Sequence, residues 1–357
     1  MAEHAAEYEW RGEGDEAEII LYAPDSTAFG RTLPAASLPG VESPAYAAAS
    51  QSGFGWVAAS TTHVAPDLLS APLRGLLLVA DTRSENLGLG PRELANRTSR
   101  DLTETGSRLP SLNEAGIGRL CESGARAAAE DGLIEEEDLP LLAVLPGDPD
   151  ALGRRALSAG PREWGEVVLP ELRVVTEVLD TEGAESLGLE PGTLAIVVTV
   201  DAGDLGRLAL AAHRERILGR SEEFGATLDL PSAPLESGEA EDLIAAAYAA
   251  ANFADARAAR TMWMLRRLLG EATGGLQIRA AWRIGGVERR NGRLVHRKGL
   301  AAAGDSDVLV SGNYAVAGTG NMWASAPPFG VMEEEGVWPW EEAGLLERLA
   351  ALDPPEG

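Results

Sequence analysis

The chain has 357 residues, 45% of them hydrophobic, enough to bury a sizeable core in one large domain or two. Its 30 basic and 56 acidic side chains leave a net charge of −26, a surface that disfavours non-specific binding to phosphate backbones but still allows a local arginine-lined groove. The one cysteine, Cys121, excludes both an intrachain disulfide and a cysteine-cluster metal site.

Residues 1–16 are acidic, with no positively charged start followed by an apolar stretch. They are expected to be a solvated, disordered tail rather than a secretory signal. No apolar run reaches membrane-spanning length, so the expectation is a cytoplasmic protein with no membrane contact. "AEIILYA" (Ala17–Ala23) reads as a strand, and so do "FGWVAAS" (Phe54–Ser60) and "LRGLLLVADT" (Leu73–Thr82), apolar runs bounded by Gly, Pro and Ser. A helix is expected from Ser111, paired with Glu114 in a capping box, to a stop at Gly132. A second, short helix follows Asp148 or Asp150.

"TLAIVVTV" (Thr193–Val200) is apolar, β-branched and uninterrupted, so it predicts a central strand buried on both faces. The "DAGDLG" after it reads as a turn, and "RLALAAHRERILGR" as a helix. A long helix is expected from Ser237 to the glycines Gly274 and Gly275, with alanine richness allowing close neighbours. Asn291-Gly292 between two alternating runs is the strongest short-range hairpin signal in the chain. Lys298, the chain's one lysine, is expected just past the return strand. No linker splits the chain. The reading is an α/β (α+β) fold with mixed sheets, one domain over residues 17–357.

Several segments resemble the RtcB family of RNA-splicing ligases. "VHRKG" after the hairpin is similar to the family's "VHRKGAT", and "AAANFADA" to its "AAANFAWANR". "SGFGWVAAS" and "VVTVDAGDLG" fall in the family's order, the latter where it has "IHTGSRGLG". The likeness is patchy and extends from about Pro39 to about Gly330. It implies an RtcB-like fold and RNA as the partner. Family members join 3′-phosphate or 2′,3′-cyclic phosphate ends to 5′-hydroxyl ends, using GTP, two manganese ions and a guanylylated histidine.

The same resemblance puts Leu77 and Ala80 at the family's Asp and Cys ligands, and Thr199 and Trp282 at two of its ligand histidines. Gln51 falls near a further histidine, no "GNH" occurs near Arg162–Leu172, and no "HGAGR" stands near the C-terminus. These are the wrong donors for Mn²⁺, which takes oxygen and nitrogen ligands. The expectation is therefore no catalytic residue, no metal and no required cofactor, with GTP and Mn²⁺ returning only if the chain is an active ligase.

Carried over from the family, the residues expected to bind RNA or a nucleotide are His296, Arg297, Lys298, Asn252, Ser311 and Gly312. Lys298 and Arg297 would meet phosphate as a point charge and a bidentate fork. Against these stand plainer readings. Lys298 would be a surface lysine or the partner of Asp305 or Asp307, Asn252 a core asparagine bonded to backbone, and Ser311–Asn321 a turn-rich connection. His4, His63 and His213 lack metal-ligand spacing, and His213 suits a structural role inside a helix. A third reading is an unrelated enzyme using Asp201 and Asp204 as an acid/base pair.

Overall fold

The computed structural model describes residues 62–309 with short interruptions, the longest at 161–169, together with five strands before residue 61 and Ala324–Ser325 after it. The strands are β1 (Glu7–Arg11), β2 (Glu18–Ala23), β3 (Ser26–Leu33), β4 (Ala45–Ser50), β5 (Gly53–Ser60), β6 (His63–Val64), β7 (Leu73–Arg83), β8 (Glu171–Val174), β9 (Glu177–Val178), β10 (Thr193–Asp201), β11 (Ala233–Pro234), β12 (Leu276–Arg290), β13 (Arg293–Ala303), β14 (Ser306–Leu309) and β15 (Ala324–Ser325). The helices are α1 (Pro91–Ser107), α2 (Glu114–Glu130), α3 (Pro149–Ala159), α4 (Asp204–Leu218), the short α5 (Ser221–Phe224) and α6 (Gly238–Thr273).

One 11-stranded sheet has the order β1-β2-β3-β4-β5-β13-β12-β7-β10-β8, with β14 beside β13. Every pairing among the described residues is antiparallel, where mixed sheets were expected. The fold is α+β: an antiparallel sheet covered by helices. β1 lies within the acidic stretch expected as a tail, and its five residues pair with all but one of β2.

β10 matches its sequence signature. Leu194 to Val198 are all buried because helices cover one face and the other is also closed to water. Leu76, Leu78, Ile196 and Val198 join the helices in one apolar core. Leu77, Val79, Ala195 and Val197 are buried on the opposite face. A second cluster lies under the β12–β13 hairpin and the start of α6, around Val64, Leu243, Val287 and Leu294.

Helix ends follow local chemistry. α6 begins at Ser237, whose hydroxyl accepts from the Ala240 amide, and ends at Gly274 with φ 71°. α3 is capped by Asp148. α2 is capped by Asn113 rather than the expected Ser111, since the Asn113 carboxamide lies 2.7 Å from the Gly116 amide. α4 starts three residues earlier than expected, at Asp204. The alanines of α6 admit backbone contact: a Cβ on Gly147 would fall 2.5 Å from the Ala249 amide nitrogen.

Unexpected altogether is α1. Its buried residues among those described, Leu94, Thr98, Leu102 and Gly106, recur every four positions, but two of the four are a threonine and a glycine. Thr98 fits because its hydroxyl donates to the Leu94 carbonyl at 2.8 Å.

Candidate functional site

The three central strands bring together several of the positions that the sequence resemblance singled out. Gly75 on β7 is flanked in register by Thr199 on β10 and Trp282 on β12. Two residues along β7, Leu77 is flanked by Val197 and Ala280. That second row is apolar and closed: Leu77 is 0% exposed and Val197 is 3% exposed. Ala80 does not join these positions. It packs with Leu76 and Leu78 against the helices, on the other face of the strand. So three of the four positions are neighbours and the fourth is not. Gln51 and the C-terminal segment lie outside the described residues, as do Trp164–Leu169.

On the helix side of the same strands sits a buried charge cluster that sequence reading missed. Asp255 of α6 is 2% exposed, with Arg283 Nη2 2.6 Å and Arg74 Nε 3.4 Å from its two carboxylate oxygens. Arg74 and Arg283 are register partners on β7 and β12. Burial lowers the pKa of Arg74, Asp255 opposes that, and Arg283 adds to it. Two guanidiniums around one carboxylate hold α6 against the sheet and offer no group for proton transfer. Asp255 interrupts an alanine run, a signal of a buried ion pair that was available in the sequence.

Of the residues expected to bind RNA or nucleotide, His296, Arg297 and Lys298 are consecutive on β13 and Asn252 lies in α6. His296 is fully buried on β13, with Nε2 accepting from the Ala65 amide at 3.2 Å. It thus sits as a buried side chain within the strand. Arg297 and Lys298 are not past the return strand but inside it: β13 continues to Ala303. Arg297 is opposite Gly286 and Val57, and Lys298 is opposite Trp56. Ser311 and Gly312 lie outside the described residues.

Asn252 bonds to backbone, as its plainer reading expects. It is 0% exposed, its carboxamide oxygen accepts from the Leu145 amide, and its nitrogen donates to the carbonyls of Cys121, Glu122 and Leu145 at 2.9–3.1 Å. The cause lies in α2. Gly124 breaks the helical ladder with φ 56° and ψ −138°, which frees the carbonyls just before it. A Cβ there would stand 3.4 Å from the Asn252 carbonyl oxygen. Glycine suits the positive φ of the break, and asparagine satisfies the carbonyls that the break frees.

Asp201 and Asp204 do not form an acid/base pair. Asp201 accepts from Arg257 at 3.0 Å and from the Gly203 amide, while Asp204 pairs with Arg207 at 2.9 Å. His213 is 2% exposed and its Nε2–H donates to the Ala151 carbonyl at 2.8 Å. Among the described residues no three His, Cys, Asp or Glu side chains cluster as metal ligands, and no helix is long and apolar enough to cross a membrane.

A second place with site-like geometry lies at the far end of β7. A pocket of about 220 Å³ is lined by Asp81, Thr82, Arg83, Glu190, Thr193 and Arg279, among others. Arg279 is the extra residue of a β-bulge in β12, between Ile278 opposite Leu78 and Ala280 opposite Leu77. A bulge breaks strand alternation and re-aims one side chain, and the sequence shows only a lone arginine among apolar neighbours.

No family model matches the chain. It is similar to curated relatives over about half its length. It is 31% identical over 207 residues to the tRNA-splicing ligase RtcB of Pyrococcus furiosus, covering 50% of this chain and 21% of that protein. The Pyrococcus abyssi tRNA-splicing ligase RtcB is 29% identical over 205 residues, covering 50% and 22%. The RNA-splicing ligase RtcB of Mycobacterium tuberculosis is 28% identical over 178 residues, covering 47% and 41%. The matched stretch thus spans less than half of each relative. Over that stretch, the chain is RtcB-like.

Proposed function

We propose that this chain is a divergent RtcB-like protein that binds RNA or a nucleotide and does not carry out ligation. The observation that carries the reading is the row of Gly75, Thr199 and Trp282 beside the buried Leu77. Three of the positions that the family resemblance assigns to metal ligands, Leu77, Thr199 and Trp282, lie on neighbouring strands, yet none supplies an imidazole, thiolate or carboxylate. Manganese has no fitting donor set there. Retention of "HRKG" on an inner strand, in a chain with one lysine, supports a kept phosphate contact.

Incubating the full chain with labelled GTP and Mn²⁺, then resolving it under denaturing conditions, tests the first half. No covalent guanylate is expected, and an adduct overturns the proposal. About two manganese ions per chain in elemental analysis, as two-metal sites hold, also overturns it. For the second half, a 3′-phosphorylated RNA is titrated against wild type and Lys298→Met. Binding is expected in the wild type and is weaker in the variant.

A further inference from the structure

We propose that the pocket at the end of β7 binds the phosphate and ribose of a ribonucleotide, either free or at the end of an RNA strand. The inference deepens the RNA-binding reading and rests on it. Arg83 is paired with Glu190 at 2.6 Å, and one Asp81 oxygen accepts from Gln277 at 2.8 Å. Arg279 has no carboxylate partner among the described residues, and the bulge turns it into the pocket.

Its guanidinium lies beside Gly188 (φ +70°), with Arg279 Nη2, Nε and Cζ 3.4–3.6 Å from where a Cβ would stand. A guanidinium laid along a glycine and unmatched by acid presents the planar fork that fits a phosphate bidentately. The Thr82 hydroxyl lines the same pocket and has no partner among the described residues.

The two carboxylates select the rest of the ligand. Asp81 and Glu190 would repel a bare polyanion, so the ligand must also bring hydrogen-bond donors. Sugar hydroxyls meet this need, and a carboxylate accepting from ribose is a recurrent arrangement. At about 220 Å³ the pocket is smaller than the sites that enclose drug-sized ligands and holds a sugar and a phosphate with the base outside. Free nucleotide and strand end share this chemistry.

The test titrates the full chain, at low salt, with adenosine 3′-monophosphate, its 2′-deoxy counterpart, and a short RNA bearing a 3′-phosphate. Wild type is expected to bind the ribonucleotide more tightly than the deoxy form. Arg279→Gln should weaken every probe at least tenfold with an unchanged melting temperature, since the side chain is exposed. Asp81→Asn should remove the ribose preference. RNA binding tighter than mononucleotide binding supports the site with the strand end as its occupant; equal binding supports it with the free nucleotide. The proposal is overturned if Arg279→Gln binds all probes like wild type, or if neither nucleotide binds at millimolar concentration. RNA binding that survives Arg279→Gln but falls in Lys298→Met overturns this site and leaves the wider reading standing.

Discussion

Replacing Asn252 by alanine separates a structural role from a nucleotide contact. The side chain makes four hydrogen bonds to four backbone groups: the Leu145 amide and the carbonyls of Leu145, Cys121 and Glu122. Alanine deletes both ends of the amide and leaves these groups without that partner. Each net hydrogen bond is worth about 1 kcal/mol, and an orphaned buried group costs ~1–3 kcal/mol. Some of the loss is recovered by relaxation around Gly124, so about 3–5 kcal/mol is expected for the set. In a large domain that corresponds to a fall in melting temperature of roughly 5–10 °C.

Asn252→Asp should be worse at neutral pH, because it sets a carboxylate against three carbonyl oxygens. Acidification should partly relieve it by restoring one donor. Thermal unfolding followed by far-UV circular dichroism measures both. A melting temperature within about 1 °C of wild type for Asn252→Ala, well short of the shift expected above, would refute the clamp.

Asp255→Asn should cost about 3–5 kcal/mol in denaturant unfolding, since Arg74 and Arg283 would lose the carboxylate that both face. Burial lowers the pKa of His213, with the Ala151 bond opposing. The unfolded chain then binds the extra proton first, so stability is full above about pH 6.5 and falls as pH drops from there through the lower folded value. Melting temperatures between pH 7.5 and 5 should show that fall, and His213→Gln should flatten it. Burial also pushes the Cys121 thiol far up, so a thiol-reactive dye should label it only as fast as the protein opens. Immediate labelling of the native chain would contradict its burial.

Local signals were readable where one segment decides its own structure. The hairpin seen in the Arg290–Arg293 pairing, the β-branched run of β10 and the serine and glycine at the ends of α6 are each signalled within a few residues. α1 was not readable, because a buried threonine satisfied by its own helix looks like any polar residue. Strand order was hidden for another reason: it depends on partners hundreds of positions apart. In the candidate site, the plain reading of Asn252 was available from its alanine-rich surroundings. The strand position of Lys298 was not, since "HRKG" breaks the alternation that marks a strand. The bulge at Arg279 leaves almost no trace in sequence at all.

Strand order also has a consequence for how the protein is made. β5 and β7 lie close in sequence, yet they are not neighbours in the sheet, because β13 and β12 fill the space between them. The Ala65 amide waits for His296, 231 positions later. A ribosome adding about 5–20 residues per second needs on the order of 10–45 s to deliver that hairpin. Until then β5 and β7 each lack the strand that covers one of their edges, and open edges are surfaces that pair with other chains. The β12–β13 hairpin therefore acts as a late keystone. Truncation before residue 276 should yield chains that aggregate or bind chaperones rather than a smaller folded protein.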